Sequence, residues 1–229
     1  MDKSIRKKIG THYTHLDTPN LILDIDAFKY NLDIVNFKLN AANLGVRIDV
    51  NSHLSKDILN LQLNGFSNAL GISASNVGQG SIFSHLSDDI LIDRPILSDE
   101  KLNSLVDING KCTFNSLVQL QSIEYDKLSG IYLKIIVDQI NEFDENILTF
   151  ITQNKIKITG IIFQYHDYDI PKQSTVSEFV KLHPSISKMT NNFIASGKIM
   201  ISEYDNLDSN FTEIIISKLP LIDNEIIDH

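Results

Sequence analysis

Hydrophobic positions along the chain follow two alternating rhythms. Between about residues 21 and 216, short apolar or β-branched runs alternate with stretches whose apolar residues fall three or four apart. The run at 21–24 predicts a strand. Phe28, Leu32, Val35 and Leu39 then predict a helix over 26–39, and a strand follows Gly45 at 46–51. A helix over 55–64 closed by Gly65, a strand at 69–73, a helix from Asn76 and a strand at 89–92 continue the pattern. Ser98 suits the N-cap of a helix reaching Val106, ahead of a strand at 111–114.

In the second half, 116–124 reads as helix, 131–138 as strand, 143–154 as helix and 156–164 as a β-branched run. A longer helix is predicted over 175–196, interrupted near Pro184, because proline removes a backbone donor and crowds the preceding turn. Gly197 ends that helix, and strands at 198–202 and 211–216 close the series.

With 21–24 set aside, eight predicted strands alternate strictly with helices. Parallel strands joined by crossovers give that order, so the fold class is α/β. Eight units in roughly 170 residues are lean for a closed (β/α)8 barrel, which usually takes about 250. The expectation is a TIM-type barrel, lean or partly incomplete, with a doubly wound open sheet as its rival. No glycine-rich dinucleotide fingerprint follows the first strand, which counts against the rival. There is no internal repeat, linker or low-complexity block, so a single domain is expected.

Composition narrows the setting without revealing chemistry. The chain has 229 residues, 42% hydrophobic and 21% charged, which excludes collagen-like and wholly disordered classes. No apolar run approaches the roughly 20 residues that cross a bilayer. The basic N-terminus MDKSIRKKIG lacks the apolar core of a secretory signal. One cysteine, Cys112, forms no internal disulfide, so a cytoplasmic location is expected. A net charge of -9 repels a phosphate backbone, so neither nucleic acid nor membrane is an expected partner. The basic cluster Lys3, Arg6, Lys7 and Lys8 reads as a solvated terminus.

Several segments carry a specific resemblance. LDTPNLILDIDAFKYNLD, GVRIDVNSHLSKDI, GISASNVGQGSIF and DDILIDRPI, followed by KCTFNS, GIIFQYHDY and FTEI, occur in the order and spacing of one family. The chain resembles the alanine racemase-like barrels that use pyridoxal 5'-phosphate (PLP), above all D-threonine aldolases and D-serine dehydratases. The likeness covers most of the chain and is densest over 16–97. It implies an N-terminal extension at 1–15 and a barrel domain over 16–229. It also implies that the family's C-terminal β-domain is missing, since KLPLIDNEIIDH is too short to build one.

PLP chemistry needs an amine, a phosphate cradle and a group that tunes the pyridine ring. The resemblance locates all three, and the sequence departs from the family at each. The family's Arg-Pro-His-x-Lys-x-His-Lys signature corresponds to Arg47 through Leu54, and Asn51 occupies the position of the cofactor lysine. An amide nitrogen is not nucleophilic enough to form an imine. Lys56 falls in the following helix, and Lys134, four residues before Asp138, is expected about 13 Å below the strand's end. The Ser-Gly-Gly-Gly-Thr-like cradle corresponds to Lys198 through Tyr204, where Ser202 is the only remnant and Glu203 adds a negative charge. The family's Asp-x-Gly-x-x-Arg-x-Gly loop is reduced to Asp138 and the short run that follows.

The expectation is therefore a catalytically degenerate barrel with no PLP, acting as a binding or scaffold protein. Its remnant pocket comprises Asn51, His53, Asp138, Tyr165, His166 and Ser202. Expected partners are a small amino-acid-like ligand and a second copy or an active relative. The alternative is a PLP-dependent racemase, aldolase or dehydratase with altered cofactor anchoring. A further alternative is a repurposed barrel using metal or acid–base chemistry at His53, Asp138, His166 or Glu203. No metal site is expected, because His12 and His15 lack a third ligand. Cys112 reads as a buried small hydrophobe and the acidic tail 223–228 as solvated.

Overall fold

The computed structural model describes residues 10–16, 22–165, 175–197 and 207–216. Its strands are β1 (Gly45–Asp49), β2 (Ala69–Ala74), β3 (Ile90–Ile92), β4 (Lys111–Phe114), β5 (Gly130–Ile136), β6 (Gly160–Gln164), β7 (Phe193–Gly197) and β8 (Glu213–Ile216). They pair in chain order, all parallel, and β8 returns to β1 with Gly45 opposite Glu213 and Ile48 opposite Ile216. The barrel is closed, and the open-sheet rival is excluded.

Helices α1 (Ile25–Ala41), α2 (Lys56–Gly65), α3 (Val77–Phe83), α4 (Asp99–Asp107), α5 (Leu117–Ser122), α6 (Asn146–Gln153), α7 (Thr175–Leu182) and α8 (Ile186–Met189) are described around it. Local chemistry sets their starts. The Asp24 carboxylate accepts from the amides of Asp26 and Ala27, and Ser55, Asn76 and Ser116 cap α2, α3 and α5 in the same way. Ser98 precedes α4 without a side-chain cap bond. Phe28, Leu32, Val35 and Leu39 are the buried residues of α1, as their spacing predicts.

Several boundaries differ from the sequence expectations, including the end of β1 at Asp49 rather than 51 and the start of β6 at Gly160 rather than 156. Of the run predicted as a strand at 21–24, residues 22–24 form no strand and lead into the Asp24 cap, and among the described residues no strand pairs with them, while residue 21 lies outside the described residues. The helix predicted over 175–196 stops at Leu182, resumes briefly as α8, and gives way to β7 at Phe193. Short apolar runs such as Phe193–Ala195 fit a buried helix or a buried strand equally well by periodicity. Gly197 thus ends a strand, with φ of 133°. The strand predicted over 198–202 lies outside the described residues. Finally, β5 ends at Ile136 and a 3-10 segment, Val137–Glu142, follows it.

Strand alternation splits the buried residues into two populations. One set, including Ile48, Ile72, Ile92, Phe114, Leu133, Phe163 and Ala195, faces the helices. The other fills the barrel: Leu91, Tyr132, Ile162, Ile194 and Ile215 form a separate apolar plug. Arg47, 1% exposed, shares that interior. Its Nε donates to Glu213 of β8, and its Nη1 donates to Asp89 Oδ1 at 2.6 Å and to the Ile72 carbonyl at 3.3 Å. Lys111 Nζ donates to the other oxygen of Asp89. Gly71 makes this possible, because a Cβ there would lie 2.3 Å from the Asp89 carbonyl and 3.0 Å from Arg47 Nη1. The network seals the N-terminal side of the barrel with charges that are mutually paired, which is how buried charge is tolerated.

Candidate functional site

At the C-terminal ends of the strands the inward positions change character. Alternation turns Asp49 of β1, Ser73 of β2, Thr113 of β4, Lys134 of β5, Gln164 of β6 and Ser196 of β7 toward the barrel axis. Asp93 joins them directly after β3, its amide still on the ladder through the Ala74 carbonyl at 2.9 Å. An apolar plug is thus topped by a ring of polar side chains. Catalytic and binding groups of (β/α)8 barrels sit at this end.

Lys134 dominates the ring. Its Nζ donates to Asp93 Oδ1 at 2.8 Å, Oδ2 at 2.9 Å and the Asp93 carbonyl at 3.3 Å. Since β4 lies between β3 and β5, the lysine chain crosses that strand. The sequence placed this amine far below the mouth. The structure corrects that depth, because β5 ends two residues after Lys134 rather than four. Thr113 is 1% exposed, and its hydroxyl finds no hydrogen-bond partner among the described residues.

Asp49 faces the same ring. Burial pushes its carboxyl above the usual range, Asn51 hydrogen bonds and Lys134 oppose the shift, and Asp93 adds to it. Asn51 is exposed and turned back on Asp49, with its amide N–H donating to Asp49 Oδ1 at 3.1 Å and its side-chain nitrogen donating to the same oxygen. Asn51 is therefore committed to the turn by which Asp49 caps the start of the 3-10 segment Val50–Ser52.

The other sequence-derived candidates scatter. His53 Nδ1 accepts from the Ser55 amide at 3.0 Å, which leaves Nε2 to donate to Gln62 Oε1 at 2.9 Å. Both ring nitrogens serve the β1–α2 connection, and burial lowers the His53 pKa. Tyr165 follows β6 on the outward side, buried in the helix-facing core with its ring 6.4 Å from Phe211, and burial pushes its hydroxyl up to about 12. Asp138 is exposed in the 3-10 segment after β5. His166, Ser202 and Glu203 lie outside the described residues.

β7 runs to Gly197, and the segment compared with a phosphate cradle, Lys198 through Tyr204, lies outside the described residues. Among the described residues no group of three or more His, Cys, Asp or Glu is placed to hold a metal ion. Cys112 is fully buried, and burial pushes its thiol up to about 12. No described helix is long and apolar enough to cross a membrane.

Sequence reasoning missed Asp49, Asp93 and Thr113 and misplaced Lys134. The signal was present as a polar residue in the last inward slot of successive strands. It becomes readable only once the strand ends and their parity are known.

A closed parallel barrel with a polar C-terminal mouth defines an α/β barrel of the TIM type. More particularly, the chain has the fold of the alanine racemase-like PLP barrels. It is similar to the crystal structure of D-threonine aldolase from Filomicrobium marinum, with a TM-score of 0.70 and 15% identity over 90% of this chain and 63% of that one. It is similar to lysine decarboxylase from Selenomonas ruminantium, with a TM-score of 0.67 and 16% identity over 88% and 64% of the two chains. For alanine racemase from Acinetobacter baumannii the TM-score is 0.58 and the identity 13%, over 86% and 61%. The chain spans less than two thirds of the length of each. No family model matches the sequence, and no curated protein is similar to it.

Proposed function

We propose that this chain is a PLP-type barrel that anchors no PLP and instead binds a small amino-acid-like ligand at its mouth, as a binding or scaffold protein. One observation carries the reading: the amine position at the end of β1 is Asn51, whose side chain is spent on Asp49. The ring itself supports a zwitterionic ligand. Two carboxylates, one ammonium and several hydroxyls offer partners for both charged ends, and the Thr113 hydroxyl, unpartnered among the described residues, leaves hydrogen-bonding capacity inside.

The residues present do not fit a lysine-anchored cofactor. Imine formation requires a free amine lone pair, whereas the Lys134 ammonium is engaged by both oxygens of Asp93. A second reading has one specific observation in its favour, since Lys134 does bring an amine to the barrel mouth.

The test treats purified protein with PLP, reduces with borohydride and maps adducts by mass spectrometry, beside calorimetric titration with single amino acids. The expected result is no stoichiometric lysine adduct together with saturable binding of one amino acid. A stoichiometric adduct on Lys134 overturns the proposal in favour of the second reading. Absence of both an adduct and amino-acid binding overturns the ligand assignment.

A further inference from the structure

The strand pairings sort the inward side chains into tiers, each drawn from alternate strands. The tier at the mouth holds Asp49, Asp93, Lys134 and Ser196, from the ends of β1, β3, β5 and β7. Directly beneath it the even strands supply Ser73, Thr113, Ile162 and Ile215. Asp49 pairs with Ser73 in register and Ser196 with Ile215, which fixes the two tiers against each other. Hydroxyls therefore floor the mouth on the β2 and β4 side, and isoleucines floor it on the β6 and β8 side.

Charge in the upper tier is not balanced. Two carboxylates face one ammonium, and that ammonium is held by both oxygens of Asp93. The Asp49 carboxylate accepts only from Asn51, and both of those bonds fall on Oδ1. Its Oδ2 has no hydrogen-bond partner among the described residues. Burial raises the Asp49 carboxyl, as expected where no cation is bonded to it. One tier down, Thr113 is 1% exposed and its hydroxyl is also unpartnered among the described residues. A buried polar atom left in that state costs free energy that a bound group recovers.

Both unmet groups can accept hydrogen bonds, and the cation of the tier is already engaged. A primary ammonium supplies what is missing, a positive charge for Asp49 and further N–H donors for the hydroxyl floor. A ligand carboxylate would find only Lys134, and would have to compete with Asp93 for it. An alkyl body would lie on Ile162 and Ile215. We propose that Asp49 is the ammonium-binding residue of the mouth, which selects small alkyl ligands by a primary amine, with or without a carboxylate. This assignment rests on the reading of the mouth as a ligand site and narrows its ligand class.

Calorimetric titration tests it with norvaline, its decarboxylated amine butylamine and its deaminated acid pentanoate. Norvaline and butylamine should bind within about tenfold of each other, and pentanoate should not bind. D49N keeps the size of the side chain and should weaken both amines about tenfold or more. D107N removes the same charge from an exposed site at the end of α4, on the N-terminal side of the barrel, and should change neither. K134M frees the Asp93 carboxylate and should bind butylamine at least as tightly as the wild type. Thermal melts confirm that each variant is folded. Silence of butylamine overturns the assignment, as does butylamine binding that D49N leaves unchanged or K134M weakens. If an amino acid still binds in those cases, the mouth remains a ligand site that recognises another group. Absence of binding by any amine or amino acid overturns both readings.

Discussion

Lys134 on β5 reaches across β4 to grip both carboxylate oxygens of Asp93 at 2.8 and 2.9 Å. The bridge spans three strands at the mouth and leaves Asp49 as the carboxylate without a lysine bond of its own. Both partners are partly buried, at 16% and 26% side-chain exposure, so the pair is worth more than a surface bridge and less than a fully buried one.

Replacing Lys134 with Met should therefore cost about 1–2 kcal/mol, read as a shift in urea midpoint at constant slope. The double variant K134M/D93N should lose less than the sum of the two single variants, because removing one partner strands the other. Additive losses would show that the two side chains do not act as a unit.

Two carboxylates should respond to pH with opposite signs. Burial drives the Asp49 carboxyl up, so its folded-state pKa exceeds the unfolded value of about 3.9. Its contribution is fully present below that value and is lost as pH rises through the folded pKa. D49N should thus stabilise the protein at pH 7 and change nothing at strongly acidic pH. Burial also works to raise Asp89, but the hydrogen bonds and charges of Arg47 and Lys111 outweigh it and hold the carboxyl low. Its contribution is present above about 3.9 and lost as pH falls. D89N should destabilise at pH 7, with the penalty shrinking in acid. Urea titrations across pH check both, and matching signs would refute the assignment.

Arg47 should be the costliest polar side chain to remove. Truncating it to Met leaves Glu213 buried without its guanidinium partner and Asp89 with Lys111 alone, with an expected loss of about 3–5 kcal/mol in equilibrium unfolding. The double change R47M/E213Q should recover part of that loss, since the uncompensated charge of Glu213 is gone. No recovery would mean that packing around the guanidinium, rather than charge, is what matters.

Gly197 should tolerate no side chain. Its φ is 133°, and a Cβ would lie 2.5 Å from the Tyr165 carbonyl, so G197A should cost about 2 kcal/mol or more. Gly78 in α3 has ordinary φ and only a 3.3 Å approach to Asn76 Oδ1, so G78A should stay within about 1 kcal/mol of wild type. Differential scanning calorimetry of the two variants separates backbone strain from a general intolerance of change.

The legibility of the fold in the sequence varied by element. Strands flanked by clear turn residues, such as β2 and β4, were located within a residue, because short apolar runs bounded by Gly, Ser or Asn leave little room for another element. The segment from Phe193 was misassigned to helix, because Phe-Ile-Ala carries no period of its own and becomes a strand by pairing with β6 and β8. Residues 22–24 form no strand for the converse reason: among the described residues the run has no neighbouring strand to bond. At the site, the turn that ties Asn51 to Asp49 was not visible.

The sequence alone determined the alternation of elements and the helix starts near Ile25, Ser55, Asn76 and Ser116. These depend on neighbours within about four residues along the chain, where local hydrogen bonding and periodicity act. The tertiary structure decided the rest: closure of β8 onto β1, the ends of β5 and β7, and the convergence of Asp49, Asp93, Thr113 and Lys134 at one mouth. Those four residues span 85 positions and come from four strands, so only barrel closure, which fixes strand parity and register, could bring them together.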